Sequence, residues 1–315
     1  MSSASQPLVH ARQAPRSGVV GLIQDYGELT KASVTSLIMM TAWWGFYFGC
    51  FKSGVSSICW TMVHAVLGIG LVAAGTAALN EVMEHETDAQ MRRTSIRPLP
   101  AKRMSMMHAV IAGSVLTIGG SIYLAFATNP LTGALTLATS IMYLAAYTPL
   151  KKVHPICTFI GAIPGAMPGV LGWTAARNRL DWEALALFGI VFLWQFPHFF
   201  SIAWLYREDY ERGRIRMLPV VEADGRSTVR EIVLYSLALI PVSLAPSLMG
   251  MSGRIYLVGA FMLGVALLWF GLRLARLALP PAAARSKAAA RQLLQATVFY
   301  LPLLFALMML NTAAR

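Results

Sequence analysis

The sequence predicts an all-α polytopic membrane protein with nine transmembrane helices, and three observations lead there. Of its 315 residues 57% are hydrophobic and only 13% charged, against roughly 25% charged in an average soluble domain. The mean hydropathy is +0.59. Apolar runs near the length at which a helix crosses the hydrocarbon core recur at 33–51, 58–79, 106–127, 131–149, 156–175, 183–205, 232–250, 254–273 and 293–311.

Taken in order, residues 1–24 are polar and basic without an apolar core, and are expected to form a flexible arm rather than a cleavable secretory signal. Residues 25–315 are expected to form a single transmembrane domain, since the longest polar stretches, 80–105 and 206–231, are too short to act as domain linkers. The first and second spans are flanked by Cys50 and Cys59, which with Cys157 make neither a CxxC pair nor a zinc spacing. Packing of Cys50 and Cys59 as small hydrophobes is expected over a disulfide between them, since free cysteine commonly packs that way. The fifth span carries Gly161, Pro164, Gly165, Pro168, Gly169 and Gly172, a pattern that permits close helix approach and irregular backbone. Pro197 inside the sixth span predicts a kink that helps to open a polar cavity near His198. Segment 277–292, rich in Ala and Arg with Pro280-Pro281, is a connector without assigned chemistry.

The net charge of +12 would suggest nucleic acid in a soluble protein. Placement argues otherwise. With a cytoplasmic N-terminus, only Lys52, Arg177, Arg179, Arg254 and Arg315 of the 26 Lys and Arg fall on the opposite side, so the excess orients the chain and nine spans put the C-terminus outside. A bacterial inner membrane is the expected location. A mitochondrial inner membrane is the other host compatible with an acid-free N-terminus containing Ser and Arg.

Carboxylates cluster in two loops, which orientation does not require. Asn80, Glu84 and Asp88 follow an apolar run at four-residue spacing, so on a helix they share one face at the membrane boundary. In a soluble helix Asp88 would form an i,i+4 pair with Arg92. At a bundle interior, acid groups need a partner or a cation. Oxygen donors of this kind suit Mg²⁺, which completes its shell with water and diphosphate oxygens. An apolar helix running into Tyr206-Arg207-Glu208-Asp209-Tyr210 repeats the arrangement and adds Asp209.

Arg93, Arg97, Lys151 and Lys152 lie on the same predicted side, where Arg grips phosphate bidentately and Lys acts as a point charge. The competing reading, topogenic charge, covers some of Lys102, Arg103, Arg226 and Arg230. His198, within Trp194-Gln195-Phe196-Pro197-His198-Phe199-Phe200, is an ionisable group inside a span and therefore a functional candidate, hydrogen-bonded core being the alternative. His10, His64, His85, His108 and His154 lack that context.

Several strings now combine: Asp25-Tyr26, Leu29-Thr30-Lys31, Asn80-x3-Glu84-x3-Asp88-x2-Met91-x-Arg93-Thr94-x2-Arg97-Pro98-Leu99, Tyr147-Thr148-Pro149-Leu150-Lys151-Lys152 and Gly161-x2-Pro164-Gly165-Ala166-x-Pro168-x3-Gly172-Trp173. With Trp194-Gln195-x-Pro197-His198-Phe199, Asp209-Tyr210 and Met217-Leu218-Pro219-Val220-Val221, they resemble the UbiA superfamily of intramembrane prenyltransferases over nearly the whole chain. The Trp-Gln-x-Pro-His-Phe and Met-Leu-Pro-Val-Val strings resemble its haem branch.

That resemblance implies a UbiA-like helical bundle with a central cavity, which farnesylates protohaem IX from farnesyl diphosphate with addition of water, giving haem O and diphosphate. It implies Mg²⁺ held by Asn80, Glu84, Asp88 and Asp209, and diphosphate held by Arg93, Arg97, Lys151 and Lys152. Haem contacts are implied at Trp194, Gln195 and His198. Membrane lipid is the surrounding medium, and a haem A synthase or terminal oxidase assembly enzyme is an implied partner.

Four positions depart from the family pattern: Glu84 stands where aspartate is usual, Gly213 follows Asp209 by four residues, Lys31-Ala32-Ser33 replaces Lys-Pro-Arg, and Pro168-Gly169 replaces a proline pair. One rival function is prenylation of a quinone precursor or lipid headgroup by the same superfamily. A rival of different class is a cation-coupled transporter whose acidic helix ends bind the ion.

Overall fold

The computed structural model describes residues 18–53, 58–222 and 224–312. Among them, nine helices are long and apolar enough to cross a bilayer: Ala32–Phe51, Trp60–Gln90, Met106–Ala127, Pro130–Leu150, Cys157–Arg177, Trp182–Leu205, Arg226–Leu248, Arg254–Leu277 and Ala284–Leu310. They are called spans one to nine below.

The second span runs 31 residues because nothing between Asn80 and Gln90 breaks a helix: no Gly, no Pro, and a series of good helix formers. Asn80, Glu84 and Asp88 are thereby helical and share a face, as their spacing predicts. Ser105 caps the third span by accepting from the His108 N–H, and Asn129 caps the fourth by accepting from Thr132 N–H, with Pro130 at its first turn. The third and fourth spans each contain one widened π turn, Val115–Gly119 and Tyr143–Tyr147. The latter lies just before Thr148 and Lys151, and such turns recur at functional sites.

Residues 18–24, expected within the arm, belong instead to a helix Gly18–Leu29 that buries Gly21, Asp25 and Leu29. Val19, Val20, Leu22 and Ile23 are exposed on its other side. The helix is held by Arg103, whose Nε donates to Asp25 Oδ1 at 2.8 Å and whose Nη2 donates to Glu28 Oε2 at 2.5 Å. Residues 1–17 of the expected arm lie outside the described residues.

Spans one and five pack backbone to backbone. A Cβ on Gly45 would overlap the Gly169 carbonyl, and one on Gly172 would overlap the Ala42 carbonyl, so the glycines of the fifth span serve close approach. Spans six to nine contribute most of the largest apolar core, which gathers Trp204, Tyr256, Tyr300 and Phe196 with Trp44 and Phe48 of the first span and Trp173 of the fifth. Large apolar side chains such as Phe126 and Leu310 face outward, the pattern of a surface solvated by lipid tails. Pro197 does not interrupt the sixth span, which is one helix from Trp182 to Leu205. Cys50 and Cys59 share a small apolar cluster as thiols with Phe46, Ala65 and Ala175.

Candidate active site at the acidic end of the bundle

Successive spans alternate in direction, so the segments after spans two, four and six meet at one end. Contacts confirm it: Arg216 N–H donates to the Lys151 carbonyl at 2.8 Å, and Arg93 Nη2 donates to the Tyr210 hydroxyl at 3.3 Å. A Cβ on Gly213 would press on Met91 and Thr87, so the glycine after Asp209 lets the sixth-to-seventh connection lie against the end of the second span.

Each polar residue of the second-span face meets a cation from another segment. Lys31 Nζ donates to Asn80 Oδ1 at 2.6 Å, while Asn80 Nδ2 donates to Thr148 Oγ1 at 3.1 Å. Lys151 Nζ donates to both oxygens of Glu84, at 2.9 and 3.1 Å. Arg97 Nη1 donates to Asp88 Oδ2 at 2.6 Å. Asn80, Glu84 and Asp88 are all buried. A buried carboxylate without a counter-charge is expensive, which accounts for this one-to-one pairing.

Asp209 is buried too and pairs with Arg212. Among the described residues no three of the carboxylate, imidazole and thiol groups stand close enough to enclose one ion. Asn80, Glu84, Asp88 and Asp209 therefore share an end of the bundle without forming a single ligand sphere. Lys151, Arg97 and Arg212 occupy the carboxylates instead.

The basic candidates separate. Lys151 and Arg97 are on the acidic face. Arg93 lies beside it, its guanidinium 5.3 and 5.4 Å from the Tyr206 and Tyr210 ring centroids. Lys152 is exposed. Burial works against charge on Lys151, but Tyr147, Tyr143 and Glu84 hold its ammonium well above the ordinary lysine range.

Lys31, at the start of the Lys31-Ala32-Ser33 departure, sits in left-handed backbone with φ of 47°. That conformation costs a non-glycine residue about 1 kcal/mol, and it turns the chain between the first helix and the first span where the side chain reaches Asn80. Burial, then the charges of Arg97 and Lys151, bring Lys31 down to about 8.

Two contributors are not among the predicted site residues, although Thr148 lies in the 147–152 string. Thr148 orients Asn80, its own hydroxyl proton going to the Tyr143 carbonyl at 3.0 Å. Glu81, wholly buried, accepts from the Leu99 N–H at 3.1 Å and ties the Arg97 loop to the second span. Thr148 lies 68 residues from Asn80 in sequence, and only the fold brings them together.

The aromatic string of the sixth span divides across the helix. Trp194 and His198, four residues apart, stack with ring centroids 4.6 Å apart and planes 20° apart, and both bond to Thr297 of the ninth span. Gln195, one position on, turns toward the fifth span. Its Nε2 donates to the Ala162 carbonyl at 2.9 Å, and Gly165 leaves room for its Oε1.

Fold and site together define an integral membrane protein that gathers buried oxygen donors and the cations paired with them at one end of a helical bundle. The chain belongs to the UbiA prenyltransferase family, whose model matches residues 38–296. It is 60% identical over 311 residues to the protoheme IX farnesyltransferase of Koribacter versatilis, covering 99% of each chain. It is 46% identical to that of Solibacter usitatus, covering 92% of this chain and 99% of the relative.

Solved structures show the same fold. A digeranylgeranylglyceryl phosphate synthase superposes with a TM-score of 0.75 at 15% identity, covering 92% of this chain and 98% of the other. A UbiA homolog from Archaeoglobus fulgidus, bound to GPP and Mg²⁺, superposes with a TM-score of 0.58 at 15% identity, covering 90% and 99%.

Proposed function

We propose that this chain transfers the farnesyl group of farnesyl diphosphate to a vinyl group of protohaem IX, with addition of water, giving haem O and diphosphate. The observation that carries the reaction class is the second-span face, where Asn80, Glu84 and Asp88 meet Lys31, Lys151 and Arg97. Support for the acceptor comes from the Koribacter and Solibacter relatives, named for this activity and matched over almost their whole length.

The donor set fits Mg²⁺: carboxylate and amide oxygens on successive turns of one helix, with Asp209 from the neighbouring connection. When bound, the ion neutralises the diphosphate and stabilises the charge left on it. Glu84, Asp88, Asn80 and Asp209 are the residues that would hold it. Lys151, Arg97 and Lys31 bind diphosphate oxygens, and Arg93 reaches them from the rim, Lys152 adding charge outside.

These cations stabilise the leaving oxygen as the allylic C–O bond breaks with both electrons going to diphosphate. The vinyl π electrons then form the new carbon–carbon bond. Water adds to the resulting carbocation, forming the C–O bond of the hydroxyl and releasing a proton. Apolar walls keep water from the allylic cation before that step. Trp194 and His198 contact the porphyrin from the sixth span, and Gln195 shapes the wall behind them. The acidic end faces the cytoplasm of a bacterial inner membrane on the strength of the Lys and Arg bias, and the product passes to a haem A synthase or oxidase assembly enzyme.

Incubation of the purified protein with farnesyl diphosphate, protohaem IX and Mg²⁺, followed by mass analysis of the pigment, tests the reading. The expected product carries one farnesyl group and one hydroxyl beyond protohaem. Unchanged pigment, with turnover of a quinone precursor in its place, overturns it.

A further inference from the structure

Thr297 is wholly buried in the ninth span, and its hydroxyl decides which nitrogen of His198 carries the proton. Its Oγ1 donates to the Leu294 carbonyl at 2.6 Å. A hydroxyl has one proton to give, so at the 2.9 Å contact between Thr297 Oγ1 and His198 Nδ1 the oxygen accepts and Nδ1 carries the hydrogen. In the neutral imidazole the lone pair then belongs to Nε2. Among the described residues no hydrogen-bond partner holds Nε2, and the ring is half-buried.

The same threonine also fixes the ring's neighbour. Trp194 Nε1 donates to the Thr297 carbonyl at 2.8 Å, and the indole stacks on the imidazole. Phe199 meets the imidazole edge-on, with centroids 5.4 Å apart. Thr297 thus locks both the tautomer through its side chain and the stacked indole through its backbone.

We infer that Thr297 is a positioning residue that presents the Nε2 lone pair of His198 to the iron of the porphyrin substrate. The inference rests on protohaem being the acceptor. An iron porphyrin is flat and apolar and takes a neutral nitrogen donor as axial ligand, which matches an open imidazole nitrogen beside an aromatic face. A hydrogen bond to the far nitrogen of a ligating histidine is the usual device for setting its tautomer and basicity.

The test is a titration of the full-length protein in detergent with protohaem IX, read by visible absorption and electron paramagnetic resonance. Wild type is expected to show a nitrogen-ligand signature that His198→Gly abolishes and added imidazole restores. Thr297→Val, which keeps the shape and removes the acceptor, is expected to weaken that signature and haem affinity about tenfold. Thr297→Ser, which keeps the hydroxyl, is expected to stay within about twofold of wild type, and a melting curve for each variant reports its fold.

A His198→Gly spectrum identical to wild type, or a Thr297→Val protein with wild-type spectrum and affinity, overturns the inference. So does a Thr297→Ser protein as impaired as Thr297→Val. Wild-type protein that makes haem O while showing no histidine ligation sinks only this inference. Wild-type protein that makes no haem O sinks the assignment of the acceptor.

Discussion

Lys151 lays its ammonium across both oxygens of Glu84, 2.9 Å from one and 3.1 Å from the other, with the Tyr147 ring centroid 4.4 Å away. The carboxylate proposed to hold Mg²⁺ is thus already neutralised by a lysine proposed to hold diphosphate. Either ligand arriving alone must break a buried ion pair and strand one member, at a cost of about 3–5 kcal/mol. Arriving together they supply a new partner to each.

Mg²⁺ and inorganic pyrophosphate are therefore expected to bind cooperatively, each tightening the other at least about tenfold. Lys151→Met separates the two effects by sign: Mg²⁺ alone binds more tightly because Glu84 is released, while pyrophosphate in the presence of Mg²⁺ binds at least about tenfold more weakly. Isothermal titration with each ligand singly and together measures both. A variant that weakens Mg²⁺ binding as well would refute the exchange of partners.

Arg97 and Lys152 make a second contrast. Arg97 bonds to Asp88, whereas Lys152 is exposed. Arg97→Ala is expected to lower kcat/KM for farnesyl diphosphate by about 100-fold, the loss of a charge-assisted bond to the leaving group. Lys152→Ala is expected to change it by less than about threefold. Steady-state kinetics with varied farnesyl diphosphate decides, and equal losses would place Lys152 in the site after all.

The spans and the acidic face were open to sequence reading because both are periodic: apolar runs of fixed length, and oxygen donors every four residues on one helix. What escaped depends on which way a helix is turned and on what lies opposite. Gln195 shares a string with Trp194 and His198, yet one residue of helix rotates it by about 100° onto the fifth span. Thr148, Thr297 and Glu81 are ordinary residues whose partners are set by packing. Gly18–Leu29 reads as polar and basic when joined to the residues before it, but its own segment is apolar and is pinned by Arg103, a residue with an equally good topogenic explanation.

Gly172 offers a test of the fold. A side chain there meets the Ala42 carbonyl and the Phe46 amide nitrogen, which are backbone and cannot rotate away. Gly172→Val is expected to cost about 3 kcal/mol or more, by forcing spans one and five apart. Gly119, where a Cβ meets nothing within 4 Å, is the control, and Gly119→Ala should leave stability near that of wild type. Thermal unfolding in detergent compares them, and an unchanged Gly172→Val midpoint would contradict the observed contact.

Asp181, in the connection before the sixth span, gives a pH dependence whose sign can be worked out. Its Oδ1 accepts from Arg179 Nε at 2.6 Å, and its Oδ2 accepts from Trp173 Nε1 at 3.1 Å and Arg177 Nε at 3.3 Å. Partial burial opposes the charge, but the donors from Trp173, Arg179 and Arg177 outweigh it and hold the carboxyl below its ordinary value of 3.8. A depressed folded-state value means that the unfolded chain binds this proton more readily. The contribution is therefore complete above about 3.8 and is lost as the pH falls through the lower folded-state value. Asp181→Asn removes the charge and is expected to lower the melting midpoint at neutral pH while flattening its fall in acid. Melting midpoints of both proteins from neutral pH into the acid range measure this, and parallel curves would show that the carboxylate is not what ties the fifth and sixth spans at this end.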